Sequence, residues 1–265
     1  VVITGHTGFK GSWLTAWLNE LGANVIGISF NIPTAPSHFK LLNFEDIEDY
    51  KIDIRDYESL ENLLKKKSPD FVFHLAAQSL VINSYKNPLE TWNTNLMGTV
   101  NLLQALRSLK NECTSILITS DKCYDNVEWS WGYREIDKLG GPDPYSASKG
   151  AAELAISSYV RSYFNENNNV KIASARAGNV IAGGDWSQNR LIPDCIRAWS
   201  LGEKVILRNP NSTRPWQHVL EPLSGYLFLA SKLHQNNDLN GKSFNFGPRD
   251  LTTKSVIDLV KTMSD

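Results

Sequence analysis

The chain lacks most of what would tie it to a membrane, a nucleic acid or an oxidising compartment. Its 265 residues include only three cysteines, Cys113, Cys123 and Cys195, with no Cys-x-x-Cys spacing. That pattern argues against a disulfide framework and against a zinc site, and no metal is expected. The formal net charge of -1 gives no general attraction to nucleic acid or to an anionic membrane. No apolar run approaches the roughly 20 residues needed to span a bilayer, and no signal peptide is evident. A soluble protein of the reducing cytoplasm is expected. Internal repeats and low-complexity tracts are also missing. So is an initiator Met: Val1-Val2-Ile3 reads as the inside of a strand and Ser255 to Asp265 as an unfinished helix, so a longer parent chain is expected.

What is present is an alternation of strand and helix patterns. Val1-Val2-Ile3 is β-branched, and Trp13, Leu14, Trp17, Leu18 and Leu21 follow at helical spacing, with Gly5-His-Thr-Gly-Phe-Lys-Gly11 between them. Glycines at 5, 8 and 11 allow a tight turn and a close approach of backbone N–H groups to a diphosphate, which a helix N-terminus favours electrostatically. Lys10 either assists a phosphate or is simply solvated. A second strand ends at Ser29, where an NAD site commonly carries an acid for the ribose 2′-hydroxyl. None stands here, so NAD over NADP is left open.

A third strand is read over 50–54 and a helix over 57–67. Asp53 either accepts from an adenine amino group or caps that helix. Phe71 to Leu75 is a buried-type strand whose His74 reads as a core histidine, and small residues Ala76 and Ala77 follow it. A long helix is expected over 89–109, its polarity pattern interrupted by Asn93, Asn95 and Thr99. Ser115 to Thr119 is a strand that delivers Ser120, Asp121 and Lys122 to its carboxyl end, where doubly wound sheets place ligands. The fold expected is therefore α/β, a Rossmann-type doubly wound parallel sheet.

Asp143-Pro-Tyr-Ser-Ala-Ser-Lys-Gly150 opens the next helix and sets the Tyr145 phenol and the Lys149 ammonium four residues apart, on one helix face. A cation beside a phenol favours phenolate, which would let Tyr145 act as a base nearer neutral pH than its usual pKa of about 10. A strand is expected over 170–176, a helix over 219–233 and a strand over 242–246. Beyond Asn179 the alternation weakens and Pro193, Pro210, Pro215 and Pro222 accumulate. Residues 1–179 are accordingly expected to form the cofactor-binding Rossmann domain. Residues 180–265 are expected to be mostly a smaller C-terminal substrate-binding domain, interleaved with late returns to the sheet. Arg190, Arg208 and Arg214 are its candidate anion-binding cations, and Trp186 and Trp216 are aromatics that either flank a ligand or pack.

Gly5 to Gly11, Leu75-Ala-Ala77, Ser120 and Tyr145-x-x-x-Lys149 together resemble the extended short-chain dehydrogenase/reductase superfamily over most of the chain. Asp121 after the strand-end serine resembles the sugar-nucleotide 4,6-dehydratase branch. Lys122, where that branch usually has Glu, resembles the subgroup acting on a cytidine diphosphate hexose. Gly11-Ser-Trp13, Ser120 to Asn126, Arg176 to Val180, Gly183-Gly-Asp-Trp186 and Arg214 to Val219 carry the same likeness.

The resemblance implies NAD as a bound catalyst, CDP-D-glucose as substrate and CDP-4-dehydro-6-deoxy-D-glucose as product, on a route to the dideoxyhexoses of bacterial surface polysaccharide. It implies Ser120, Asp121, Lys122, Tyr145 and Lys149 as catalytic residues. It assigns Gly5, Thr7, Gly8, Phe9, Lys10, Gly11, Asp53, Ile54, Leu75, Ala76, Ala77, Asn95, Tyr145 and Lys149 to the cofactor, and Gln78, Ser120, Asn179, Arg190 and Arg214 to the substrate. Tyr145 would oxidise the sugar at C4 with Ser120 on the same oxygen, and Asp121 would protonate the departing C6 hydroxyl. Lys122 is either the C5 base, neutral when it acts, or a stabiliser of the enolate. A 4-epimerase and a catalytically silent nucleotide-binding scaffold stand as alternatives. A homodimer is implied, paired through the helices at 89–109 and 145–164.

Overall fold

Val2 and Ile3, with apolar side chains directed to opposite faces, open β1 (Val2–Thr4). The computed structural model describes residues 1–165, 169–248 and 254–264. After β1 come α1 (Phe9–Glu20), β2 (Ile26–Ser29), α2 (His38–Leu42), β3 (Glu48–Lys51), α3 (Tyr57–Lys67) and β4 (Phe71–His74). Next are α4 (Val81–Lys86), α5 (Pro88–Trp92), α6 (Gly98–Leu106), β5 (Cys113–Ile118), α7 (Pro144–Tyr163), β6 (Val170–Ala177), β7 (Val180–Ile181) and α8 (Leu191–Ser200). The chain continues through β8 (Thr213–Arg214), β9 (Gln217–His218), α9 (Leu220–Gln235), β10 (Ser243–Phe246), β11 (Lys254–Ser255) and α10 (Val256–Ser264). Asp265, placed by the sequence in that last helix, lies outside the described residues.

Seven strands form one sheet in the order β10-β6-β5-β4-β1-β2-β3, and every neighbouring pair is parallel. On one face Val2, Val72 and Leu117 meet Leu64 of α3, Leu102 of α6 and Ile156 of α7. On the other, Ile3, Phe73 and Ile116 meet Leu14 of α1 and Tyr226 and Leu233 of α9. Two covered faces are what allow these strands to be apolar throughout rather than alternating. This is the doubly wound α/β sheet the pattern called for, and its strand order reverses between β1 and β4, where such sheets bind ligands. The late strand β10 joins its edge beside β6. Two small pairs lie outside it: β7 with β9, parallel, and β8 with β11, antiparallel.

Several expectations are corrected. The helix over 89–109 runs from Pro88 to Leu106 but is interrupted by a π-helical turn at Asn93–Met97. β3 lies two residues earlier than expected. It is the outer strand of the sheet, so Glu48, Asp49 and Lys51 face solvent and the alternation is weak; Ile52 and Ile54 turn inward only after the chain has left the sheet. The short helices α4 and α8 were not foreseen. Among the described residues no helix is long and apolar enough to cross a membrane.

Candidate active site

At the reversal of strand order the carboxyl ends of β1, β4, β5 and β6 open onto one cleft of about 1830 Å³. The turn after β1 forms one wall. Gly5 has φ +78, and a Cβ there would stand 2.6 Å from the Ala76 nitrogen, so only glycine lets the ends of β1 and β4 meet this closely. A Cβ on Gly11 would fall 2.0 Å from the Gly5 carbonyl oxygen, so α1 also packs directly on the turn. Gly8 caps α1 without a side-chain hydrogen bond. The first-turn N–H groups at Phe9, Lys10 and Gly11 thus have no side-chain acceptor and belong to residues that line the cleft. That is the chemistry of a diphosphate cradle, and the residues fit a dinucleotide.

The second wall is α7. Asp143 caps it by accepting from the Ser146 N–H at 3.0 Å and the Ser146 hydroxyl at 2.6 Å, and Pro144 fills the first turn, where its missing N–H costs nothing. This fixes Tyr145 and Lys149, both buried, on the face turned to the cleft. The Lys149 Nζ lies 3.4 Å from the Ile118 carbonyl oxygen, and burial draws the ammonium down to about 8 while Glu153 opposes this. Burial pushes the Tyr145 phenol up to about 12; a hydrogen bond with Ser120 and the charge of Arg190 pull it back. This shift runs opposite to the expectation that the cation beside it brings the phenol nearer neutrality. In this dry pocket desolvation exceeds the neighbouring charges.

The third component leaves β5 at Ser120 as a single 3-10 turn, Asp121–Cys123. Ser120 Oγ accepts from the Lys122 N–H at 3.2 Å and donates to the Asp121 carboxylate at 3.0 Å. This irregular turn brings the adjacent side chains Asp121 and Lys122 to the same cleft. Burial raises the Asp121 carboxyl above its ordinary value, against the pull of Ser120, Lys122 and Lys10. A carboxyl so placed is inclined to hold a proton and give it up. Lys10, half-buried on the cleft wall, is drawn down to about 8 by burial, with Asp121 opposing and Arg190 and Lys149 assisting.

The cleft also takes in Thr7, Asp53, Ile54, Leu75, Ala77, Gln78, Asn179, Arg190, Arg208 and Arg214. Asp53 does not cap α3. Asp56 does, accepting from the Ser59 N–H at 3.2 Å, while Asp53 grips Arg55 through both oxygens. The Gln78 amide is engaged within its own wall, donating to Thr91 Oγ1 at 3.0 Å and accepting from the Leu80 N–H at 2.7 Å. Asn95 stands apart from the cleft lining. It is 1% exposed and binds both backbone groups of Gln78 and the Ser148 hydroxyl, bracing the loop after β4 against α7. It lies on the π-helical turn, an irregularity frequent at functional sites. His74 is a core histidine, between Thr4 Oγ1 at 2.7 Å and Thr99 Oγ1 at 3.2 Å, and burial lowers it to about 3.

Two residues missed by sequence reasoning hold this wall in place. Glu153, one turn beyond Lys149, is paired with Arg176 of β6 at 2.7 Å, both almost wholly buried. The 4-residue continuation from Lys149 to Glu153 was the available signal.

A family profile described as GDP-mannose 4,6 dehydratase matches residues 2–264. The CDP-glucose 4,6-dehydratase of Salmonella typhimurium is 52% identical over 268 residues, covering 99% of this chain and 75% of the relative. The UDP-glucose 4-epimerase of Thermotoga maritima, solved with UDP-glucose, superimposes with a TM-score of 0.84 at 24% identity, covering 99% of this chain and 81% of the other. The dTDP-glucose 4,6-dehydratase of Bacillus anthracis, solved with NAD, gives 0.82 at 20% identity, covering 99% and 78%.

Proposed function

The chain belongs to the GDP-mannose 4,6-dehydratase family, and from that premise we propose that it is an NAD-dependent hydro-lyase converting CDP-D-glucose to CDP-4-dehydro-6-deoxy-D-glucose. The observation that carries the reading is the convergence of Ser120, Asp121, Lys122, Tyr145 and Lys149 on the cleft that also holds the glycine cradle. Cytidine as the base rests on the 52% identical relative.

A hexose does not lose water across C5 and C6 readily, because its C5 proton is not acidic until C4 is a ketone. Gly5, Thr7, Gly8, Phe9, Lys10 and Gly11, with Asp53 and Ile54, would hold NAD, which would supply the hydride chemistry of oxidation at C4 and reduction at C6. Tyr145 removes the C4 hydroxyl proton, with Ser120 hydrogen-bonded to the same oxygen and Lys149 balancing the charge. Asp121, whose carboxyl burial raises, protonates the leaving C6 hydroxyl. Lys122, beside it on the 3-10 turn, takes the C5 proton as water leaves and returns a proton to C5 when C6 is reduced. Arg190 and Arg214 hold the nucleotide diphosphate, with Asn179 toward the sugar.

Residues 1–179 serve the cofactor, and 180–265 mainly the substrate, with β10 returned to the sheet. The protein works in the cytoplasm as a homodimer paired through α5, α6 and α7. Exposed Leu89, Met97, Leu154 and Tyr163 on and between those helices suit such a contact. The product suits a route to dideoxyhexoses of lipopolysaccharide O-antigen.

Incubation with CDP-glucose and NAD, followed by alkali, tests the reading. The near-ultraviolet absorbance of a 4-keto-6-deoxy sugar is expected, and its absence with both ligands bound would count against it. Epimerised product without loss of water would favour the 4-epimerase alternative.

A further inference from the structure

Gly183 and Gly184, on the loop between β7 and α8, have no side chains with which to hold that loop, and Gly184 has φ +87. A glycine pair is the most freely moving backbone the chain can offer. Yet one residue further Asp185 accepts from Arg190 at 3.0 Å and from the Ser187 N–H at 3.1 Å, and Arg190 donates to Ser79 Oγ at 3.3 Å. The far side of this loop is held by Arg197, which donates to the Trp186 and Ser187 carbonyls, and by Arg208, which donates to the Asn189 carbonyl, so the arginine assigned to the substrate diphosphate is left to be aimed from the glycine side.

On the glycine side the anchorage comes from the first turns of α1. The Trp13 indole Nε1–H donates to the Gly183 carbonyl at 3.0 Å. The same indole stacks on His38, ring centroids 4.9 Å apart at 26°, and His38 Nδ1 lies 2.8 Å from Ser12 Oγ. Gly184 lies so close to His38 that a Cβ would come within 2.4 Å of the ring. His218, beside β7 in the small parallel pair, meets the edge of Trp13 at 6.3 Å. Ordinary packing would account for the ring contacts. It does not account for a directed indole donor placed on the one carbonyl that begins a glycine hinge.

We propose that Trp13 and His38 are positioning residues that clamp the 183–185 hinge and thereby aim Arg190 into the cleft. Trp13 lies two residues past Gly11, so the element that cradles the cofactor diphosphate also sets the arm that receives the substrate. This rests on the reading of Arg190 as a ligand of the nucleotide diphosphate.

The test uses the full chain and measures CDP and NAD affinity by calorimetry, with steady-state kinetics on CDP-glucose. Trp13→Phe keeps an aromatic ring on His38 and deletes the donor. The CDP Kd and the substrate KM are expected to rise about five- to tenfold, the worth of one directed hydrogen bond, while kcat and the NAD Kd stay within about twofold. In Arg190→Ala the same Trp13→Phe change is expected to cost nothing further, because it acts only through that arginine. His38→Phe, which keeps the stack and loses the Ser12 link, should show a smaller CDP loss.

Equal losses of CDP and NAD affinity with a lowered Tm would reduce Trp13 to general packing and overturn the proposal. So would an unchanged CDP Kd in Trp13→Phe when Arg190→Ala weakens CDP. An unchanged CDP Kd in Arg190→Ala would instead sink the reading of Arg190 itself.

Discussion

Replacing Glu153 by Gln should destabilise the protein out of proportion to a change of one atom. Glu153 and Arg176 are each 3% exposed. The carboxylate accepts from Arg176 at 2.7 Å, Ser174 at 2.8 Å and Ser243 at 3.1 Å, and from Thr119. Arg176 in turn donates to the Tyr124 hydroxyl at 2.7 Å and the Glu135 carbonyl at 3.0 Å. Burial alone would raise the Glu153 carboxyl, but Arg176 and the hydroxyls hold it below its ordinary value. This stabilisation is therefore fully present at neutral pH and is lost only as acid protonates the group.

Gln keeps some of the hydrogen bonds and leaves Arg176 as an uncompensated buried charge, which costs about 3–5 kcal/mol. At roughly 2–4 °C per kcal/mol for a chain of this size, Tm should fall by about 10 °C. Pairing Glu153→Gln with Arg176→Met should recover most of that loss, because no unpaired charge then remains in the core. Thermal and urea unfolding, followed by circular dichroism, measure both. A Glu153→Gln protein melting within about 2 °C of the parent, or a double variant much weaker than the single one, would refute the reasoning. The consequence for function is direct, since this pair fixes α7, and with it Tyr145 and Lys149, to β5 and β6.

Lys122→Met should still reduce NAD in a single turnover on CDP-glucose, whereas solvent deuterium should no longer enter C5. Undiminished wash-in would remove Lys122 as the C5 base. Lys149, drawn by burial to about 8, should lose its proton on the alkaline side, so kcat should fall above about pH 8; a rate flat to about pH 10 would contradict its charge-balancing role. In Glu153→Gln that limb should move to lower pH, because Glu153 raises Lys149. With Ser29, Phe30 and Asn31 at the end of β2, the acid that commonly holds the ribose 2′-hydroxyl is missing, and the nearby Asp53 carboxylate is neutralised by Arg55, which stands over the Phe30 ring at 5.8 Å. The NADP Kd should lie within about tenfold of the NAD Kd by calorimetry, and a gap beyond about a hundredfold would disprove it.

Features that depend on neighbouring residues were legible in the sequence. The glycine turn between a strand and a helix, the Tyr145-x-x-x-Lys149 face and the apolar runs of a two-sided parallel sheet are each set within a few residues, and the structure has all three. Asn95, expected at the cofactor, lies outside the cleft lining on a π-helical turn that no residue pattern announces. β3 was read two residues late because an edge strand has one dry neighbour only. The clamp of Trp13 on Gly183 joins residues 170 apart, and the Glu153–Arg176 pair joins a helix to a strand beyond it. No local periodicity encodes either. The raised Tyr145 phenol was illegible for a related reason: desolvation is a property of the closed pocket, and the motif shows only the charge beside it.

The central claim, that C4 is oxidised so that water can leave across C5 and C6, is tested most directly with CDP-glucose carrying deuterium at C4. The product isolated from unlabelled water should be a 4-keto-6-deoxy sugar with that deuterium at C6, read by mass spectrometry and proton NMR. Deuterium retained at C4 in an intact hexose, or a deoxy product without label at C6, would contradict the account.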